Sequence, residues 1–197
     1  MSGRGRPRSA AADAAIAQAA LALFAERGVE GASIDEIARR AGVTRATVYR
    51  RWETKEALLA DALRRARNPG EAEWPAAQWG ELDADAFVRM MLETVPQTLA
   101  DGALAPLAAR LLGASQSHPE LVRAYWDGML APRRTAFGQA VAAMQAAGRL
   151  DPAVDPEVFQ DMLSGALLYR LLLDPPGSAD AWRAYCRRLL AGLGVRV

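Results

Sequence analysis

Side chains that can bind a polyanion are concentrated between residues 44 and 55 of this 197-residue chain. Hydroxyl, phenol, guanidinium and ammonium groups follow one another there at short intervals. A guanidinium fork matches O6 and N7 of guanine, and hydroxyl and ammonium groups bind phosphate oxygens. The spacing therefore predicts an outer surface suited to a DNA major groove, formed by Arg45, Thr47, Tyr49, Arg50 and Arg51.

Two short helices hinged at a glycine are predicted to position these side chains. Ser33, with Glu36 three residues later, has the spacing of a capping box that begins the first helix. Gly42 supplies a left-handed helix stop, and Thr44 caps the second helix. The first helix has one predicted buried stripe, at positions i, i+3, i+4 and i+7, formed by Ile34, Ile37, Ala38 and Ala41.

This stretch resembles the DNA-binding helix-turn-helix of TetR-type transcriptional regulators. In that family, Gly-Val precedes a recognition helix that carries a Leu/Val-Tyr pair, then Phe or Trp, then Lys and Leu. Trp52 stands here for the commoner Phe, and Arg51 for the His that often precedes it. The matching positions are held by Gly42, Val43, Val48, Tyr49, Trp52, Lys55 and Leu58.

The resemblance implies a role for each polar side chain. Arg45 and Arg50 are the implied base readers, because a guanidinium fork suits guanine. Arg51 adds a positive charge that has no assigned target. A structural helical hairpin with a solvated basic face is the alternative for the whole set. Further DNA contacts, chiefly to phosphate, are implied for Thr44, Thr47 and Tyr49 and, beside helix N-termini, for Ser33 and Lys55.

Residues 1–8 form a basic arm without helical periodicity. Its core, Arg4-Gly5-Arg6-Pro7-Arg8, resembles an AT-hook, in which Arg4 and Arg6 lie in a narrow A·T-rich minor groove. An unspecific polycationic tail is the alternative. No hydrophobic stretch with a cleavage site follows the arm, which predicts a cytoplasmic protein without a secretory signal.

Composition favours an all-α fold of about nine helices. Half of the chain (51%) is hydrophobic, Ala and Leu dominate, and β-branched residues are sparse. Pro96 and Pro132 fall inside predicted helices and are expected to interrupt them. No apolar run reaches the ~18 residues of a membrane span. The predicted organisation is a flexible arm (1–8), a three-helix DNA-binding domain (9–54) and a ligand-binding and dimerisation domain (55–197).

The charge is divided along the chain. Residues 1–68 contain 13 Arg/Lys and 8 Asp/Glu, a net charge of +5. Residues 69–197 contain 11 basic and 15 acidic residues, a net charge of −4. This division predicts that the N-terminal part faces the polyanion.

The residue types argue against an enzyme. Cys186 and His118 are the only Cys and His in the sequence, which excludes an internal disulfide and a thiolate metal cluster. The sequence contains no Gly-rich phosphate loop and no Ser/His/Asp constellation. Neither a cofactor nor a metal is therefore predicted.

The C-terminal helices also resemble the TetR family, and segments 130–134, 155–157 and 168–172 resemble one C-terminal subgroup of it. Core packing is the alternative for the two residue sets that follow. The resemblance implies a pocket for an apolar or aromatic effector, lined by Phe87, Met90, Met91, Tyr125, Trp126 and Met129. It also implies a four-helix dimer interface formed by Phe159, Met162, Leu163, Ala166, Leu167, Trp182, Tyr185 and Leu189.

The function implied by the resemblance is that of a ligand-responsive transcriptional repressor. Such a protein binds a palindromic operator in double-stranded DNA as a homodimer and is released by a small apolar or aromatic effector. A helical protein-interaction module without DNA binding is the alternative. The presence of Tyr49, Arg50 and Lys55 together favours DNA binding.

Overall fold

The computed structural model describes residues 10–65 and 83–196, except for the side chains of Met129 and Pro132. These residues form nine helical runs and no strand, and the all-α prediction is confirmed. Within the described ranges, no helix is both long and apolar enough to cross a membrane. The first four helices are α1 Ala10–Gly31, α2 Ile34–Arg40, α3 Arg45–Tyr49 and α4 Lys55–Arg64.

Five helices follow residue 82, and two of them contain a π-helical turn. Helix α5 consists of Ala84–Arg89, the π-turn Met90–Thr94 and Val95–Ala100, and it is followed by α6 Leu104–Gly113. Helix α7 consists of Pro119–Tyr125, the π-turn Trp126–Leu130 and Ala131–Ala146. The last two helices are α8 Pro156–Leu173 and α9 Ala179–Gly192.

Each π-turn ends two residues before a proline, Pro96 in α5 and Pro132 in α7. Proline has no N–H, and in an α-helix its ring would clash with the carbonyl group four residues earlier. A wider turn in front of the proline relieves this conflict and lets the helix continue. The interruptions expected at the two prolines therefore take the form of π-turns.

Packing divides the chain into two units. Of the described residues, 10–65 and 110–128 belong to the first unit, and 83–109 and 129–196 belong to the second. Helix α4 and residues 110–128 therefore pack with the helix-turn-helix, whereas the sequence prediction placed the domain boundary after residue 54.

The first unit has a core built around α4. Helix α1 packs against α2 and α4, and α4 packs against the Pro119–Tyr125 part of α7. Helix α3 joins this core through Val48, which is fully buried. The other fully buried side chains of the unit include Ile16, Leu23, Phe24, Ile37, Leu58, Leu63 and Leu121.

The turn between α2 and α3 follows the predicted stop. Gly42 has a φ of +66°, in the left-handed region where a Cβ would be strained. The N–H of Val43 donates to the carbonyl oxygen of Ala38 at 3.0 Å, and that of Gly42 donates to Arg39 at 3.3 Å. These two bonds close the end of α2 and set the direction in which α3 begins.

The core of the second unit is centred on three phenylalanines. The Phe87 and Phe137 rings meet edge to face, with centroids 4.9 Å apart, and Phe159 lies 6.2 Å from Phe137. The buried side chains around them include Met90, Met91, Met144, Leu163, Cys186 and Leu190. A smaller cluster in the same unit contains Leu99, Leu171 and Trp182.

Candidate nucleic-acid interface

Helix α3 has five residues, and a threonine fixes its start. Thr44 Oγ1 accepts a hydrogen bond from the backbone N–H of Thr47 at 3.2 Å, and the two threonine hydroxyls are 2.9 Å apart. Arg50 Nη2 donates to Thr47 Oγ1 at 3.2 Å. Thr47 therefore lies within hydrogen-bonding distance of two other predicted DNA contacts, Thr44 and Arg50.

Arg45 contacts two exposed side chains, one from each helix of the helix-turn-helix. Its Nη1 lies 3.2 and 3.1 Å from the two carboxylate oxygens of Asp35 in α2. Its Nη2 donates to the Tyr49 hydroxyl at 3.5 Å, and its guanidinium carbon lies 5.4 Å from the Tyr49 ring centroid. The hydrogen bond to Tyr49 and the negative charge of Asp35 both raise the pKa of Arg45.

The prediction from sequence missed Asp35. It precedes Arg45 by ten residues and lies in a different helix, so no helical spacing links the two. The only local signal is an acidic residue in the first turn of α2, which also suits the helix dipole.

Only half of the predicted capping box forms at the start of α2. Ser33 Oγ accepts from the backbone N–H of Glu36 at 3.3 Å. The Glu36 carboxylate instead accepts from Arg39 Nη2 at 2.6 Å and from Arg40 Nε at 3.3 Å. These bonds, chiefly that with Arg39, lower the pKa of Glu36 to about 2, so the acidic partner of this network stays ionised at neutral pH.

The contacts of Arg51 do not favour the DNA-binding role predicted for it. Its Nε donates to Asp13 of α1, and its Nη1 donates to the carbonyl oxygen of Thr47 at 3.0 Å. Only 11% of the Arg51 side chain is exposed. Since the guanidinium is occupied inside the first unit, Arg51 ties the end of α3 to α1 rather than facing outward.

Lys55 is the first residue of α4, where Thr54 caps the helix by accepting from the N–H of Ala57 at 3.1 Å. Its Nζ lies 3.9 Å from Glu30 Oε2, and the other Glu30 oxygen lies 3.9 Å from His118 Nε2. The Lys55 ammonium is therefore paired with Glu30 within the first unit.

No three His, Cys, Asp or Glu side chains in the described ranges are arranged to hold a metal ion.

The predicted effector residues do not all lie in one cluster. Phe87, Met90 and Met91 are buried together in the second unit. Tyr125 and Trp126 belong to the first unit. The side chain of Met129, and Arg4 and Arg6 of the proposed minor-groove arm, lie outside the described part of the chain.

The predicted dimer residues divide between the core and the surface of the second unit. Phe159, Leu163 and Trp182 are at most 2% exposed and fill the core. Met162 is 53% exposed, whereas Ala166, Leu167, Tyr185 and Leu189 are partly buried. Helix α8 carries further exposed apolar side chains that the sequence prediction did not include, namely Val158, Tyr169 and Leu173.

The geometry defines a helix-turn-helix protein with a polar recognition helix. The first part of the chain, residues 16–62, matches the family model for bacterial regulatory proteins of the tetR family. Residues 78–192 match the model for the tetracyclin repressor-like C-terminal domain. The chain belongs to the TetR family of bacterial transcriptional regulators.

Individual relatives agree with this assignment. The transcriptional regulator YdeS of Bacillus subtilis, itself uncharacterized, is 31% identical over 171 residues, which cover 86% of this chain and 83% of YdeS. AqdR of Rhodococcus erythropolis is 28% identical over 76% of this chain and 69% of its own length. Both are described as transcriptional regulators, and members of the family are regulators rather than enzymes.

Two solved structures share the fold. FadR of Bacillus halodurans, a fatty acid degradation regulator, aligns with a TM-score of 0.68 at 24% identity, covering 92% of this chain and 98% of FadR. GusR of Salmonella enterica aligns with a TM-score of 0.71 at 19% identity, covering 93% and 95% of the two chains. At these identities the likeness concerns the fold alone.

Proposed function

We propose that this protein is a ligand-responsive transcriptional repressor that binds a palindromic operator as a homodimer. The observation that carries the proposal is the outer surface of α3 and its flanking residues. Thr44, Arg45, Tyr49 and Arg50 are exposed there, while Val48 anchors the helix in the core. Hydroxyl, phenol and guanidinium groups on a short, capped helix can bind the base edges in a DNA major groove and the phosphates beside it.

The proposed homodimer interface lies on one side of α8. Val158, Met162, Tyr169 and Leu173 follow spacings of four, seven and four residues, so they share a face of the helix. Each is more than half exposed, between 53% and 68%. A second copy of the chain would cover this apolar stripe, and two recognition helices would then match a two-fold symmetric operator.

The proposed effector is a small apolar or aromatic molecule, and Phe87, Met90 and Met91 of the second unit are proposed to contact it. Methionine side chains adapt to irregular ligands, and aromatic rings offer both edges and faces. A molecule that binds only the folded protein raises its unfolding temperature. A panel of aromatic and aliphatic compounds, screened by thermal unfolding and then for release of bound DNA, tests this part of the proposal.

Electrophoretic mobility shift with DNA flanking the protein's own gene tests DNA binding. Arg50→Ala and Tyr49→Ala are each expected to weaken binding about tenfold, since a good side-chain contact in the groove contributes about 1–3 kcal/mol. Arg123→Ala is the matched control, because Arg123 is an exposed arginine of α7 in the same unit. Equal affinity of the wild type and both α3 variants would contradict the proposed reading surface.

A further inference from the structure

The contact between Asp35 and Arg45 has a geometry suited to base readout. One carboxylate oxygen lies 3.1 Å and the other 3.2 Å from Arg45 Nη1, while Nη2 reaches the Tyr49 hydroxyl at 3.5 Å. The Tyr49 ring supports the guanidinium from one side, 5.4 Å from its centroid. The guanidinium is therefore held through Nη1 and Nη2, and the Tyr49 ring packs on one of its faces.

The same contacts leave donors for a ligand. A guanidinium carries five N–H groups. Within the described part of the chain, Arg45 Nε and the second N–H of Nη2 form no hydrogen bond. Guanine O6 and N7 take two parallel donors from one arginine, so the base and Asp35 can be bound at the same time.

Fold stability does not account for this pair. The side chains of Arg45 and Asp35 are 59% and 69% exposed, and water and salt leave little net stabilisation in such exposed pairs. A positioning effect needs no such stabilisation. A free arginine loses rotamer freedom when it binds a base, and a side chain restrained beforehand loses less.

We propose that Asp35 is a positioning residue that holds Arg45 for the recognition of one guanine in the operator. This inference rests on the proposed function. A carboxylate on the proposed DNA-binding surface would also repel phosphate, so Asp35 should weaken binding to every sequence while it sharpens the choice of base at one position. Affinity and discrimination are therefore expected to change in opposite directions when the carboxylate is removed.

Selection of bound duplexes from a random-sequence library by the full-length wild-type protein provides the operator for the test. Dissociation constants are then measured for the selected duplex and for each single-base-pair change. Arg45→Ala is expected to abolish discrimination at one G·C pair. Asp35→Asn is expected to reduce discrimination at that same pair about three- to tenfold, to tighten binding to unrelated duplex DNA, and to lower the unfolding temperature by no more than about 3 °C, since it removes one exposed charge from the first turn of α2. Asp35→Glu, which keeps the carboxylate, is expected to restore part of the discrimination.

Two controls separate positioning from a simple change of charge. Glu53→Gln removes an exposed carboxylate before α4, and it should change affinity for all sequences without changing the preferred base. In the Arg45→Ala background, Asp35→Asn should no longer affect base choice, because the interaction energy of a double-mutant cycle isolates the pair.

Failure of this inference can be distinguished from failure of the proposed function. Unchanged discrimination in Asp35→Asn, or an equal loss in the presence and absence of Arg45, would overturn the inference and leave the proposed function intact. Enrichment of no sequence by the wild-type protein would overturn the proposed function, and the inference with it.

Discussion

The guanidinium of Arg51 is ion-paired with the carboxylate of Asp13, which joins the end of α3 to the first turn of α1. Only 11% and 22% of the two side chains are exposed. The preceding residue, Arg50, is exposed and bonds to Thr47. Two consecutive arginines therefore have different environments, one inside the first unit and the other on the proposed DNA-binding surface.

Asp13→Ala is expected to lower the free energy of unfolding by about 1–3 kcal/mol, because it leaves a largely buried guanidinium without its acidic partner. Urea denaturation followed by circular dichroism measures the change. Arg50→Ala is the matched control, and the midpoint urea concentration of its unfolding should equal that of the wild type. If Asp13→Ala also unfolded there, Arg51 would not have the structural role that its contacts indicate.

Gly128→Ala is expected to destabilise the first unit by about 1–3 kcal/mol, because a Cβ would overpack α7 against α4. The added atom would lie 2.5 Å from the Cα and 2.8 Å from the carbonyl carbon of Arg64. Since these are backbone atoms, neither can rotate away. Thermal unfolding of the full chain measures the loss.

Gly138→Ala in the same helix is the matched control for Gly128→Ala. A Cβ at Gly138 meets no atom within 4 Å, so the higher helix propensity of alanine should stabilise the protein by up to about 1 kcal/mol. Opposite signs for the two substitutions are the expected result. A stabilising effect of both would show that α4 and α7 have room to separate.

Met162→Glu combined with Tyr169→Glu is expected to convert the proposed homodimer into a monomer. Two carboxylates would replace apolar side chains that are 53% and 65% exposed on α8, and burying unpaired charges in an interface is costly. Sedimentation velocity gives the mass of the species. Leu112→Glu changes a comparably exposed leucine (51%) of the first unit and should leave the dimer intact; a monomeric wild-type protein would contradict the proposed interface.

Cys186 should react slowly with thiol reagents while the protein is folded. Burial raises the pKa of its thiol from the ordinary 9.0 to about 11, and the thiolate is the reactive form. At pH 8, Ellman's reagent is expected to modify the native protein far more slowly than the protein in urea. Rapid modification of the native protein would show that the second unit opens readily.

The same shift sets a pH dependence of stability. Below pH 9.0 the thiol is neutral in both states, so its contribution to stability is fully present. Between pH 9.0 and about 11 mainly the unfolded state loses the proton. The free energy of unfolding therefore falls as pH rises through this range towards the folded pKa. Cys186→Ser should remove this part of the alkaline destabilisation.

Local sequence signals predicted the elements of the helix-turn-helix well. Ser33 and Thr44 cap α2 and α3, and Gly42 adopts the left-handed conformation of a helix stop. Pro156 begins α8 and Ser178 caps α9 by the same kind of local interaction. Each of these features depends on residues within one turn of each other, so the sequence contains the whole signal.

Such local signals do not specify contacts between helices. The sequence placed Arg51 on the outer surface because its neighbours Tyr49 and Arg50 belong there, yet Asp13, 38 positions earlier, draws it inward. The Asp35–Arg45 pair likewise joins two helices whose relative direction is set by the turn at Gly42. An arginine has the same helix propensity whether its side chain faces solvent or an acidic residue of another helix. Only its neighbours in the folded structure therefore decide its partner.

The sequence by itself determined an all-α member of the TetR family with a DNA-reading helix near its N-terminus, because capping, periodicity and the recognition motif are local properties. Only the tertiary structure decided which side of α8 is buried. That helix is apolar on two sides, and packing takes Phe159, Leu163 and Leu171 into the core while Met162 and Tyr169 stay at the surface. Both sides carry large apolar side chains, so the choice depends on the shape and the neighbours that the other helices provide.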